Sequence, residues 1–324
     1  MQNVVQIDEQ GSPAVMQLVQ GELADPGPGE VRIRHTAVGL NYMDIYQRGG
    51  QYAVTLPMQL GLEAAGTIEG IGADAEGFAV GDRVAYGPAP PGAYADRRNV
   101  PVARLVRIPQ GISDEQAAAC LLKGITAEYL LERAWAVKAG DPVLFYAAAG
   151  GVGLIAGQWG RALGARMIGV AGGERKCSLA AENGYEEVID RTREDVVERV
   201  KSLTAGAGVA VAYDSIGKHT FEHTLDCLRP RGCFVSFGTT SGAVPPVQAK
   251  ALQDRGSLYF TRPTLANYAA TRADLDHAAG RVFEMVQSGA VKVNIGQRYA
   301  LSDVVKAHED LETGKTSGAT VLIP

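Results

Sequence analysis

The stretch Pro142-Val143-Leu144-Phe145-Tyr146-Ala147-Ala148-Ala149-Gly150-Gly151-Val152-Gly153 decides the fold. Its first half is an unbroken apolar run, as in a strand buried on both faces, and its second half is a glycine cluster. From 152 to 163 the apolar residues recur at helical spacing, so the cluster lies between a strand and a helix, the context a glycine-rich turn needs. There Gly150 permits a tight turn, Gly151 and Val152 present backbone N–H groups at the helix N-terminus, and Gly153 lets helix and strand approach. Unpaired donors and the helix dipole at such a terminus stabilise a pyrophosphate. The plain alternative is a glycine-rich turn with no ligand.

The pattern continues downstream. Strand-like segments at 166–171, 187–190, 209–214 and 233–237 alternate with helical ones at 174–183, 193–203 and 221–228. Such alternation builds a parallel sheet covered on both faces. Upstream, residues 31–38 alternate apolar and polar at period two, 65–72 and 82–86 are similar, and Pro26, Pro28, Pro88, Pro90 and Pro91 punctuate the connections. Two helices, 275–287 and 302–312, and a strand at 320–323 close the chain and are expected to pack back on the first region. The reading is an α/β protein: a β-rich domain from 1–123 and 261–324, and a doubly wound Rossmann nucleotide-binding domain at 124–260.

A nicotinamide dinucleotide with a 2′-hydroxyl calls for a carboxylate at the tip of the second strand, about 20 residues past the turn. Here that strand ends in Ala171-Gly172-Gly173, with no carboxylate, and Arg175 and Lys176 follow. Arg191 stands after the third strand. These cations suit a 2′-phosphate, which points to NADPH, although Glu174 brings negative charge nearby. The alternative is that Arg175 and Lys176 are ordinary solvated helix residues.

The formal net charge of −5 argues against general nucleic-acid affinity, which needs a basic surface. The N-terminus MQNVVQIDEQ lacks the basic and apolar stretches of a signal peptide, and no apolar run reaches the roughly 20 residues of a membrane helix. A cytoplasmic protein with no membrane partner is expected, with Cys120, Cys177, Cys227 and Cys233 as free thiols. His219-Thr220-Phe221-Glu222-His223 matches H-x-x-E-H, a zinc-protease pattern, but falls in a predicted βα unit with no third ligand in suitable context. A solvated helix face is the expected role, and no metal is expected.

The chain resembles the medium-chain dehydrogenase/reductase superfamily and, within it, the zinc-free quinone oxidoreductase (zeta-crystallin-like) family. The resemblance spans the whole chain. It rests on 39–44 (GLNYMD), 61–66 (GLEAAG), 81–84 (GDRV), 147–153, 213–217 (YDSIG) and 235–238 (VSFG). It implies a GroES-like fold for the β-rich domain. Zinc-dependent members have a cysteine where this chain has Asn41, a histidine where it has Leu62, and a four-cysteine loop missing here. Asparagine and leucine cannot replace those ligands. Without a Lewis acid, the acceptor must already be electrophilic, as quinones and conjugated carbonyls are, and hydrogen-bond donors stabilise the anion that hydride addition creates.

The resemblance places the loop holding Asn41, Asp44, Tyr46 and Tyr52 beside the nicotinamide, making these the candidate catalytic residues. Asn41 can donate and accept, the two tyrosines offer phenols and flat rings, and Asp44 can orient its loop. It further implies cofactor contacts at Asn41, Tyr129, Ser215, Phe237, Gly238, Thr239, Thr240, Phe260, Arg262 and Lys315, beside Gly150, Gly151, Val152, Gly172, Gly173, Arg175, Lys176 and Arg191. Close relatives often carry tyrosine at the position of Arg191 and a hydroxyl residue at that of Gly173. The family is usually dimeric, which makes 233–237 or the strand after Leu258 the expected edge. NADPH:quinone reduction leads, with 2-alkenal or enone reduction and a non-enzymatic NADPH-binding role as alternatives.

Overall fold

Alternation of apolar and polar side chains shapes the start of the chain. β1 (Gln2–Ile7) pairs antiparallel with β2 (Gln17–Gly21). β3 (Glu30–Leu40) turns Val31, Ile33 and Ala37 inward and leaves Arg34 and Thr36 exposed. Then come α1 (Tyr42–Gly49), β4 (Met58–Gln59), β5 (Glu63–Ile71), β6 (Arg83–Tyr86), β7 (Arg97–Pro101) and β8 (Val106–Arg107). α2 (Asp114–Glu128) follows and continues into a π-helical turn, Tyr129–Ala134. The computed structural model describes residues 1–324.

Beyond that turn, strands and helices alternate: β9 (Pro142–Tyr146), α3 (Gly151–Ala162), β10 (Arg166–Ala171), α4 (Glu174–Glu182), β11 (Glu187–Asp190), α5 (Val196–Leu203), β12 (Val209–Asp214), α6 (Phe221–Asp226), β13 (Leu228–Ser236), α7 (Ala249–Asp254), β14 (Tyr259–Thr261) and α8 (Leu265–Tyr268). The chain ends with α9 (Arg272–Gln287), β15 (Ile295–Ala300), α10 (Val304–Glu312) and β16 (Ala319–Ile323).

Two units result. The β-rich one comprises Met1–Lys123, Ala269–Gln287 and Val293–Pro324; the other comprises Gly124–Tyr268 and Ser288–Lys292. In the β-rich unit the seven-stranded sheet runs β15-β16-β3-β5-β6-β8, with β7 also on β3, and a three-stranded sheet runs β2-β1-β4. β16 pairs antiparallel with β3, so the last strand returns to the first region. Its core gathers Val5, Ile7, Ile33, Leu60, Ile68, Val84, Leu105 and Leu322.

The other unit is a six-stranded sheet in the order β11-β10-β9-β12-β13-β14, parallel at every pairing. β12 is buried along its whole length, as a strand covered on both faces must be. The order reverses direction between β9 and β12, the switch point where ligands bind doubly wound sheets. Residues 261–268 stay with this unit, past the boundary expected at 260. β14 completes the sheet, and the Tyr268 ring stacks on Tyr129 at 4.7 Å between centroids. Lys292 is held by hydrogen bonds with the Gln158 side chain, which ties residues 288–292 to the same unit.

β13 lies between β12 and β14, so residues 233–237 form no edge; β14 does. Phe234 of β13 is fully buried and packs edge-on against Phe260 at 5.3 Å, with Phe221 at 5.7 Å. Phe234→Ala should lower unfolding stability by about 3–5 kcal/mol in urea titration, the cost of deleting a buried ring.

Candidate functional site

In the nucleotide-binding unit the turn after β9 brings α3 close. The tight turn is made by Ala147, whose φ is 53°, and not by Gly150, whose φ of −82° and ψ of 172° are extended. Gly150 is instead the N-cap residue, and it offers no side-chain hydrogen bond to the helix. The first N–H groups of α3, from Gly151 and Val152, therefore have no partner in the helix or its cap. A Cβ on Gly153 would lie 2.4 Å from the Ala147 carbonyl oxygen and 2.6 Å from that of Ala148. Gly153 thus lets the helix meet the turn itself rather than a strand.

The loop from β10 to α4 has a backbone only glycine adopts readily: Gly173 sits at φ 83°, ψ 153°. A side chain in its place would be strained. Its N–H donates to Asp190 Oδ1 at 2.9 Å. The same oxygen accepts from Thr192 N and Oγ1, and these bonds hold the Asp190 carboxyl down at about 2. So a carboxylate does stand near the loop, supplied by β11, but it is spent on backbone and Thr192. The Arg191 guanidinium lies against Gly172, where a Cβ would be 3.2 Å from its nitrogen. Lys176 is pulled below the usual ammonium range, first by burial and then by the charges of Arg175 and Arg191. Three cations gathered around one glycine loop fit the 2′-phosphate of NADPH.

At the exits of β12 and β13 a buried carboxylate organises the backbone. Asp214 accepts from the N–H groups of Ile216 and Gly217 and from the hydroxyls of Thr220 and Thr224. Thr240 N reaches Ser215 O at 3.2 Å, and a Cβ on Gly238 would meet Ser215 O at 2.6 Å. Ser215, Gly238, Thr239 and Thr240 therefore gather at the carboxyl ends of neighbouring strands, and the half-buried Phe237 ring packs on Phe145 at 5.5 Å. Tyr129 is buried at the start of the π-helical turn. Arg262 is exposed and donates to Ser236 O at 3.1 Å. Phe260 packs in the aromatic cluster with Phe221 and Phe234, which gives its ring a core role. His219 precedes α6, and Glu222 pairs with Arg255 at 2.8 Å, so the H-x-x-E-H segment is not one helix face of ligands. No group of three or more His, Cys, Asp or Glu side chains is arranged to hold a metal ion.

In the β-rich unit Asn41 caps α1, and its N–H donates to Asp44 Oδ2 at 2.8 Å. Its side-chain Nδ2 donates to Glu63 Oε2 at 2.9 Å, and Lys123 Nζ donates to the same oxygen at 2.9 Å. Asn41 thus spends its donors inward, and its side chain also accepts from the Asp44 backbone in the capping box of α1. Asp44 is fully buried and acts through Asn41 and Tyr94, whose hydroxyl donates to it at 2.8 Å. Because that proton goes to Asp44, His308 Nε2, 3.1 Å from the Tyr94 oxygen, must be the donor there. Burial pushes the Asp44 carboxyl up to about 7, opposed by these two hydrogen bonds and Lys123, and pushes His308 down to about 3. Tyr42, Tyr46 and Tyr52 form a ladder, with centroids 5.7 and 5.8 Å apart; Tyr46 is buried and Tyr52 is 40% exposed. Lys315 is exposed, 3.5 Å from Asp310. Sequence reasoning missed Lys123, Glu63, Tyr42, Asp190 and Asp214; the GLEAAG segment held Glu63 in plain view.

Residues 27–141 match the alcohol dehydrogenase GroES-like domain family, and residues 151–276 match the zinc-binding dehydrogenase family. With the switch-point sheet and its glycine turn, these matches define a medium-chain dehydrogenase/reductase. The quinone oxidoreductase of Pseudomonas aeruginosa is 46% identical over 99% of each chain. The crystal structure of Escherichia coli quinone oxidoreductase complexed with NADPH superposes with a TM-score of 0.97, at 43% identity over 100% of each chain. The 2-haloacrylate reductase of a Burkholderia species is 38% identical over 98% of each chain. The chain belongs to the quinone oxidoreductase family.

Two outcomes follow from this geometry. Gly153→Val should weaken dinucleotide binding by about tenfold or more in calorimetry, because displacing the turn misplaces the N–H groups at the start of α3, the donors an anion would use. The native state holds the Asp44 proton more tightly than the unfolded chain, so this residue's stability contribution is full near pH 4 and is lost as pH rises through 7. Measured by denaturant titration, Asp44→Asn should gain on the parent by about 4 kcal/mol across that window.

Proposed function

We propose that the protein reduces quinones with NADPH and without a metal. The gathering of Arg175, Lys176 and Arg191 at the Gly172–Gly173 loop, with Asp190 already spent, carries this reading. Gly151 and Val152 offer N–H groups to the pyrophosphate, and the three cations take the 2′-phosphate. Tyr129, Ser215, Phe237, Gly238, Thr239, Thr240 and Arg262 are assigned to the remaining cofactor contacts, and the exposed Lys315 adds a cation. NADPH, when bound, supplies the hydride.

The α1 segment receives the acceptor. The Tyr46 and Tyr52 rings suit a planar quinone, and their phenols donate toward oxygens where negative charge develops. The one proton that completes the hydroquinone after hydride transfer comes from water. Asn41 and Leu62 offer no thiolate or imidazole, so no residue in this segment calls for zinc. The 38% identical 2-haloacrylate reductase favours, as a second reading, reduction of a conjugated carbonyl by the same route.

We further propose a homodimer joined through β14, the sheet edge, where Tyr259 is 59% exposed. No helix is long and apolar enough to cross a membrane, and all four cysteines are free, which supports a cytoplasmic location.

NADPH oxidation should proceed with 1,4-benzoquinone and 9,10-phenanthrenequinone, faster than with an alkenal, and survive a chelator. Binding without turnover on any acceptor would return the non-enzymatic role. Lys176→Ala with Arg191→Ala should raise the KM for NADPH by about tenfold or more and leave that for NADH nearly unchanged; equal losses would refute the 2′-phosphate assignment. Light scattering at micromolar protein should give twice the chain mass, and Tyr259→Lys should lower it.

A further inference from the structure

One carboxylate oxygen in the nucleotide-binding unit gathers three donors. Asp190 Oδ1 accepts from Gly173 N at 2.9 Å, from Thr192 N at 3.0 Å and from Thr192 Oγ1 at 2.7 Å. Asp190 is held in turn by the residues that follow it. Its backbone N–H donates to Glu194 Oε2 at 2.9 Å, and its carbonyl oxygen accepts from Arg193 N and Glu194 N, each at 2.9 Å. Its second carboxylate oxygen faces the exposed Arg193 guanidinium at 4.0 Å. Hydrogen bonds to an ionised group are the stronger kind, so this half-buried carboxylate is a fixed point at the end of β11.

The three donors belong to the two segments that carry the cations. Gly173 is the N-cap of α4, and its carbonyl oxygen accepts from Lys176 N and Cys177 N, both at 3.1 Å. Pinning Gly173 N therefore fixes where α4 starts, and with it Arg175 and Lys176 in the first turn. Arg191 stands between Asp190 and Thr192, so the same oxygen pins the residues on both its sides. Arg191 N donates to Ala171 O at 3.0 Å, and its guanidinium lies against Gly172. Like charges on two segments drive them apart until an anion binds, and a shared acceptor opposes that separation. We propose that Asp190 is a positioning residue for cofactor choice: its Oδ1 clasps the start of α4 to the Arg191 turn and keeps the three cations assembled for the 2′-phosphate, although its own charge opposes that anion. The two contributions have opposite signs. A bystander carboxylate weakens phosphate binding, and deleting it strengthens binding. A clasp lowers the ordering cost when the anion binds, and deleting it weakens binding.

The inference rests on the 2′-phosphate assignment, which the parent protein tests alone. In calorimetry 2′,5′-ADP should bind the parent about tenfold or more tighter than 5′-AMP, and equal affinities would end both readings. Given that discrimination, Asp190→Ala should weaken 2′,5′-ADP by about tenfold and leave 5′-AMP within about twofold of the parent. Unchanged or tighter binding of 2′,5′-ADP would overturn the proposal, as would equal losses for the two nucleotides, the mark of general damage to the unit. Asp190→Asn keeps an oxygen acceptor for the Gly173 N–H and should recover most of the loss; a loss as deep as that of Asp190→Ala would overturn the clasp. Should Asp190→Ala not fold, Thr192→Val carries the test, since it deletes one of the three donors from an exposed residue. A loss of about threefold for 2′,5′-ADP alone is then expected, and no selective loss overturns the proposal.

Discussion

The approach of α3 to the turn after β9, with no side chain between them, is the constraint on which the nucleotide-binding unit depends. Gly153 meets carbonyl oxygens, Gly157 meets the Tyr185 ring and Asn183 O, and Gly160 meets Met167 Sδ. Each position would collide if it carried a Cβ. Tyr185, buried under the helix, donates its hydroxyl to Gly153 O at 2.7 Å and satisfies a carbonyl beside the turn. The result is a helix whose N-terminal amides stand at the carboxyl end of a central strand, next to the reversal of strand order. An anion is favoured there by geometry and by the dipole together.

The β-rich unit solves a different problem. It buries charge, and two of its networks end on the same residue. Glu63 with Lys123 holds the Asn41 side chain, and Asp44 with Tyr94 and His308 holds its backbone N–H. Arg48, nearly buried, reaches Glu312 from the same helix α1 that Asn41 caps. Each buried group would be costly alone, and each is partnered by a group from another segment of the chain. Rigidity at Asn41 is therefore set by α1, β5, α2, α10 and the segment holding Tyr94, not by its own loop alone.

Legibility in the sequence followed the range of the forces. The glycine turn, the parallel strands and the half-buried β3 were all readable because periodicity and backbone freedom are local. The cations at 175, 176 and 191 were readable because their positions relative to strand ends follow from the same periodicity. Lys123 was passed over because a lysine in an apolar helical run looks solvated until Glu63, 60 residues away, is placed beside it. Asp190 and Asp214 were missed for a like reason: a strand-end aspartate reveals its role only when the backbone it caps is in place. The turn was credited to Gly150, whereas Ala147 takes the positive φ, a choice that packing imposes on a residue with no propensity for it.

By itself, the order of residues determined the class of fold, the glycine turn between β9 and α3 and the absence of a carboxylate at the end of β10; through the family resemblance it also set Asn41 and Leu62 where zinc-dependent members carry ligands. These depend on residue identity and on spacings of a turn or a strand. Only the tertiary structure decided which strand is the sheet edge, which carboxylates are already spent, and which groups hold Asn41 in place. Those are settled by contacts between segments tens to hundreds of residues apart, where burial makes every unpaired polar atom expensive and so leaves one arrangement.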